Sequence, residues 1–147
     1  IECQYSRNTR LMSFLTPETL RLHVVDPIRD DGVVKYKVVV CHPARPECML
    51  SFVYRRFSEF DVVFRRLESL KPDPPLPTLP EKKLFGTNDP SFIERRRREL
   101  ETFMQTICLN RFLAGDLDFL ALVDFDGAKR ALALESIGTS KGGSSIT

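Results

Sequence analysis

At Tyr54-Arg55-Arg56-Phe57 the apolar pattern of this chain changes period. Before the arginines, Leu50, Phe52 and Tyr54 alternate with Ser51, as in a half-buried strand. After them, Phe57, Phe60, Phe64 and Leu67 recur three or four residues apart, with Val63 and Leu70 flanking. That is the stripe of an amphipathic helix. A strand that passes directly into a helix fixes two cations and a ring at one junction. Alternation predicts that Arg56 follows Tyr54 onto the core side and that Arg55 points the other way. Ser58 is the expected N-cap, and Glu59 and Asp61 suit the first turn.

Two more strands precede the junction. Leu20, Leu22 and Val24 alternate with Arg21 and His23; Val34, Tyr36, Val38 and Val40 alternate with Lys35 and Lys37. Asp26-Pro27 and Asp30-Asp31-Gly32 punctuate them, the second as a turn. Short connections predict an antiparallel meander. Downstream, Lys71 to Pro80 carries five prolines and is expected as extended polyproline, not helix. A second helix is expected from Ser91, with Ile93, Leu100, Phe103, Met104 and Ile107 on its apolar face. A short helix follows from Asp116 to Val123. The expected organisation is a lead-in over 1–17, a domain over 18–126, a C-terminal helix over 127–137 and a disordered Gly/Ser tail over 138–147. A first residue of Ile1 in place of Met reads as a piece of a longer protein.

Size and composition bound the function. The 147 residues suit one domain, and 42% hydrophobic content supplies a core. A net charge of +2 is too small to argue for nucleic acid. Cysteines at 3, 41, 48 and 108 form no C-x-x-C pair, and only His23 and His42 accompany them, so no metal site is expected. Unpatterned cysteines fit a reducing, cytoplasmic compartment. No apolar run reaches the ~18–20 residues of a membrane span. There is no nucleophile elbow, P-loop, H-E-x-x-H or dinucleotide fingerprint, so neither an enzyme nor a cofactor is expected.

Cations carry the remaining chemistry. Arg56 ends its strand, and Arg96 lies four residues before Leu100 and seven before Phe103 on the second helix's apolar side. Two inward guanidiniums demand counter-charge. Either a bound phosphate supplies it, which the planar fork suits, or Glu59, Glu94 or Glu99 does. Phe57 reads as a core residue or as a flat wall against a sugar or inositol ring. Lys82 and Lys83 end the proline stretch as solvated or positioned cations. Leu84 and Phe85 are satellite core or, if exposed, a lipid-inserting pair.

Arg-Arg-Phe-Ser-Glu-Phe, then Leu76-Pro77-Thr78-Leu79-Pro80-Glu81-Lys82, then Arg-Arg-Glu-Leu-Glu-x-Phe resembles the Phox-homology (PX) domain, over about residues 18–126. The resemblance implies an α+β fold: a three-stranded antiparallel sheet packed against a helical bundle, with a polyproline segment between the first two helices. It implies a peripheral module that binds phosphoinositide headgroups on endosomal membranes, with no nucleic-acid partner. Arg56 resembles the arginine that grips the 3-phosphate. Phe57 takes the aromatic place beneath the inositol ring. Lys82, with Lys83 beside it, resembles the lysine near the 1-phosphate. Arg96 resembles the arginine that holds the 4- and 5-hydroxyls, which implies a preference for phosphatidylinositol 3-phosphate. Leu84, Phe85 and Phe92 fall in the membrane-dipping loop. The competing reading is a protein-interaction module using the P-x-x-P spacing within Pro74 to Pro80, with weak or no lipid binding.

Overall fold

A computed structural model describes residues 14–78 and 88–144. Strands β1 (Leu22–Asp30), β2 (Val33–Cys41) and β3 (Met49–Arg56) form one antiparallel sheet in that order. Five helices follow among the described residues: α1 (Phe57–Ser69), α2 (Pro90–Cys108), α3 (Arg111–Ala114), α4 (Leu117–Leu122) and α5 (Phe125–Ser144). This is the expected α+β architecture. Residues 71–78 between α1 and α2 are neither helix nor strand, and Leu76 packs against the core.

The β1–β2 hairpin turns on Asp31 (φ 51°) and Gly32 (φ 79°), the paired positive angles of a tight two-residue loop. Asp26-Pro27 does not end β1 as expected. Pairing resumes at Ile28 after a register shift, with Asp26 at φ 44°. A bulge accommodates a proline that cannot donate to the ladder.

The phase of β3 also differs from the alternation read in sequence. Val53 lies opposite Val38, Ser51 opposite Val40 and Arg55 opposite Tyr36, and those three β2 residues are buried. The core-facing row of β3 is therefore Ser51, Val53 and Arg55. Phe52, nearly half exposed, stands on the other face, with Tyr54 edge-on at 5.9 Å and the Lys37 amine 4.4 Å from its ring. Leu50, Phe52, Val53 and Tyr54 are apolar in both phases, so alternation had no means of choosing. An irregularity between Val40 and Cys41 then sets the register.

The sheet buries Leu22, Val24, Tyr36, Val38 and Val40 against Phe60, Phe64 and Leu67 of α1 and Leu100, Phe103, Met104 and Ile107 of α2. Phe64 and Phe103 stack at 4.1 Å, joining the two helices. Leu15 is also buried, so the core reaches back into the segment expected as a lead-in.

Helix α2 covers the free edge of β1 with side chains. Glu101 accepts from the Val24 N–H at 3.0 Å, Arg97 donates to the Val24 carbonyl at 2.9 Å, and Gln105 donates to the Leu22 carbonyl at 3.1 Å. Residues 97, 101 and 105 are four apart and share a face. They satisfy an edge that would otherwise invite pairing with another chain, and they fix the rotation of α2 about its axis.

The last helix begins before and ends after the expected 127–137. Helix runs through Ser144, where the reading placed a disordered tail from 138. Ala128 and Leu132 pack on the core and Glu135 pairs with Arg45, which anchors the first turns.

Candidate functional site

A cleft of about 280 Å³ opens where the β1–β2 hairpin, the start of α1 and α2 converge. Gly32, Val33, Val34 and Tyr36 form one side; Arg56, Phe57 and Ser58 form the floor at the N-terminus of α1; Asn88 and Arg96 close it. Helix α1 starts at Phe57 with Arg56 as the cap residue, two residues earlier than the expected Ser58 cap. The Glu59 carboxylate accepts from the Arg56 N–H at 3.1 Å, which stops the strand and seeds the helix. First-turn N–H groups lack intrahelical acceptors and favour an anion there.

The adjacent arginines separate. Arg55 donates to the Leu122 carbonyl at 2.9 Å and the Ala121 carbonyl at 3.1 Å, capping the C-terminal end of α4. Its other neighbour is Glu59, at 3.6 Å. Arg56 is exposed in the cleft, and among the described residues no carboxylate engages its guanidinium. It reaches the cleft because the chain turns into α1 there, not because it faces the core.

The four-arginine run divides as well. Arg95 pairs with Glu99 at 3.1 Å, Arg97 with Glu94 at 2.7 Å, and Arg98 reaches Glu94 at 4.0 Å. Arg96 is the buried member, at 7% exposure. Its guanidinium carbon lies 3.7 Å from the Phe57 ring centroid and 4.5 Å from that of Phe92. Burial lowers its pKa from the ordinary value, while Tyr36, Glu99 and Asp61 act in the opposite sense. Burial pushes the Tyr36 phenol up to about 12, against the pull of Arg96, so it stays neutral and adds no negative charge to the cleft.

Phe57 is a core residue, as one of its two sequence readings has it. It packs against the core and also lines the cleft, with Arg96 over its ring. Of the residues singled out in sequence, Arg56, Phe57 and Arg96 come together. Lys82, Lys83, Leu84 and Phe85 lie outside the described residues. The hairpin residues Gly32 to Val34 and Asn88 were missed. Arg29, which donates to the Asn88 carbonyl, ties that hairpin to the start of α2. The Asp-Gly turn was legible, but no pattern linked it to the arginines.

The PX domain family model matches residues 49–126, from the start of β3 into α5. The chain belongs to the PX domain family. It is 28% identical over 109 residues to vacuolar protein sorting-associated protein 5 of Saccharomyces cerevisiae, covering 72% of this chain and 16% of that protein. It is 30% identical over 131 residues to human sorting nexin-33, covering 84% of this chain and 23% of that protein. The chain thus spans less than a quarter of the length of these relatives. A designed CISK-PX domain solved by X-ray crystallography superposes with a TM-score of 0.59 at 26% identity, over 70% of this chain and 97% of that one. This PX chain has no helix, among the described residues, long and apolar enough to cross a membrane.

Proposed function

We propose that this PX module binds the headgroup of phosphatidylinositol 3-phosphate and so recruits the protein that carries it to endosomal membranes. The supporting observation is the convergence of two guanidiniums on one open cleft, from the start of α1 and from the middle of α2, with no acid on Arg56 among the described residues. Arg56 grips the 3-phosphate, aided by the N-terminus of α1. Arg96, held against the Phe57 and Phe92 rings, donates to the ring 4- and 5-hydroxyls. Phe57 gives its remaining edge to the inositol ring. Lys82 meets the 1-phosphate, and Leu84 and Phe85 insert into the bilayer.

A liposome screen across all phosphoinositides tests this, with soluble inositol 1,3-bisphosphate as a second probe. Selective binding of the 3-phosphate lipid is expected. Equal binding of every anionic lipid would refute the headgroup assignment. Phe85→Asp is expected to weaken liposome binding and spare the soluble probe, and equal loss in both would refute insertion.

A further inference from the structure

A second cavity, of about 490 Å³, opens at the opposite end of α2 from the headgroup cleft. A dozen residues, roughly 18 Å of helix, separate Arg96 from Cys108 on its wall. The start of β1, the loop after β2 and the C-terminus of α2 enclose it. Its walls are mainly apolar, from Leu20, Leu22, Pro43, Ala44, Cys108 and Leu109. Its volume falls within the usual range of small-molecule sites.

Charge at the cavity is one-sided. No carboxylate is among its lining residues, while Arg21 and His23 are. His23 is engaged with Glu101 at 3.6 Å and Gln105 at 3.5 Å. Arg21 is different. Its guanidinium donates to the Leu20 carbonyl at 3.0 Å, and among the described residues it pairs with no carboxylate. It lies close enough to the Cys108 thiol to oppose the rise in pKa that burial imposes there. A cation at the mouth of an apolar hollow matches a molecule with one negative end and an apolar remainder. Leu109, 84% exposed, extends the apolar surface past the rim, so a chain longer than the hollow still finds cover.

We propose that this cavity is a second ligand site, for a single-chain amphiphile whose anionic head meets Arg21 and whose tail lies between Leu20, Leu22, Ala44, Cys108 and Leu109. A carboxylate or a phosphate head presents the same chemistry to Arg21. The site lies at the far end of α2 from the headgroup cleft, so its ligand arrives from solution and not from the bilayer the cleft reads.

The test titrates the 147-residue chain with dodecanoate, dodecyl phosphate and uncharged dodecanol, each below its micelle concentration, followed by backbone amide shifts. Saturable shifts at Leu22, Cys108 and Leu109 are expected, with either anion tighter than dodecanol; the tighter anion names the head. Arg21→Ala is expected to weaken the anions about fivefold and leave dodecanol unchanged. Leu109→Glu, at an exposed position that cannot unfold the core, is expected to weaken the anions as well. Amide spectra that match outside the cavity certify both variants as folded. Shifts spread over exposed apolar residues such as Phe14 and Phe112, no saturation, or anion binding indifferent to Arg21→Ala would each overturn the proposal.

Discussion

Arg55→Ala and Arg56→Ala, neighbouring and chemically identical substitutions, are expected to fail in opposite ways. Arg55 makes two hydrogen bonds to carbonyls at the C-terminal end of α4, at 2.9 and 3.1 Å. At about 0.5–1.5 kcal/mol each, their loss costs roughly 1–3 kcal/mol, a drop in Tm of about 2–12 °C at the roughly 2–4 °C per kcal/mol expected for a chain of this size. Arg56 has no such bonds through its side chain, and its capping bond to Glu59 is made by the backbone, which alanine keeps. Its replacement is expected to change stability by less than about 0.5 kcal/mol. Binding reverses the order. A bidentate, charge-assisted contact to phosphate is worth roughly 1.5–3 kcal/mol, so Arg56→Ala is expected to weaken inositol 1,3-bisphosphate about 10- to 100-fold. Thermal unfolding and calorimetric titration of the two proteins decide the matter. A folded Arg55→Ala protein that loses the ligand, beside an Arg56→Ala protein that keeps it, would refute both the phase assigned to β3 and the site built on it.

Other expectations follow from single contacts. Glu101→Ala leaves the Val24 N–H at the sheet edge without its acceptor and is expected to cost about 1–3 kcal/mol, with faster hydrogen exchange at the Val24 amide. His42 accepts at Nδ1 from the Ala44 and Arg45 N–H groups, and burial, with help from Arg45 and against Glu47, lowers its pKa below 6.5. The unfolded chain therefore takes up the proton first. The stability this turn contributes is whole above pH 6.5 and declines as pH falls through the lowered folded value, a slope that His42→Asn should flatten in pH-dependent denaturation. Burial raises the Cys108 thiol to about 12, with Arg21 opposing, so iodoacetamide is expected to modify Cys48 of the native protein well before Cys108, with mass spectrometry as the readout.

Much of the fold was legible because its periods are clean. Val34, Tyr36, Val38 and Val40 admit one phase, and Phe60, Phe64 and Leu67 admit one helix face. β3 failed because Val53 makes its apolar run continuous, and a strand apolar on both sides takes its phase from its partner. β1 outran its expected end because a bulge at Asp26-Pro27 absorbs the proline, which local reading treats as a stop. The start of α5 is held by contacts at Ala128, Leu132 and Glu135, and these are tertiary. Arg56, Phe57 and Arg96 were each visible. Their meeting with Gly32 and Asn88 depends on Arg29 tying the hairpin to the start of α2, a contact between distant residues that no pattern announces.

Four consecutive arginines look like a uniform basic patch, yet the helix sorts them by what lies one turn away. Each residue rotates about a quarter-turn or more from the last, so the run points in every direction around the axis. Arg95 finds Glu99 four residues on, Arg97 finds Glu94 three residues back, and Arg98 reaches Glu94 four residues back. At four residues Arg96 meets Phe92 and Leu100, and at three it meets Ile93 and Glu99, the last already paired with Arg95. The Phe57 and Phe92 rings both lie against its guanidinium, and the Arg97 and Glu101 contacts to Val24 hold the helix at the rotation that keeps it there. Most of the positive charge in the run is thus spent on internal pairs and on the sheet edge. Of the four, Arg96 alone is buried, and it alone lines the cleft with Arg56 and Phe57.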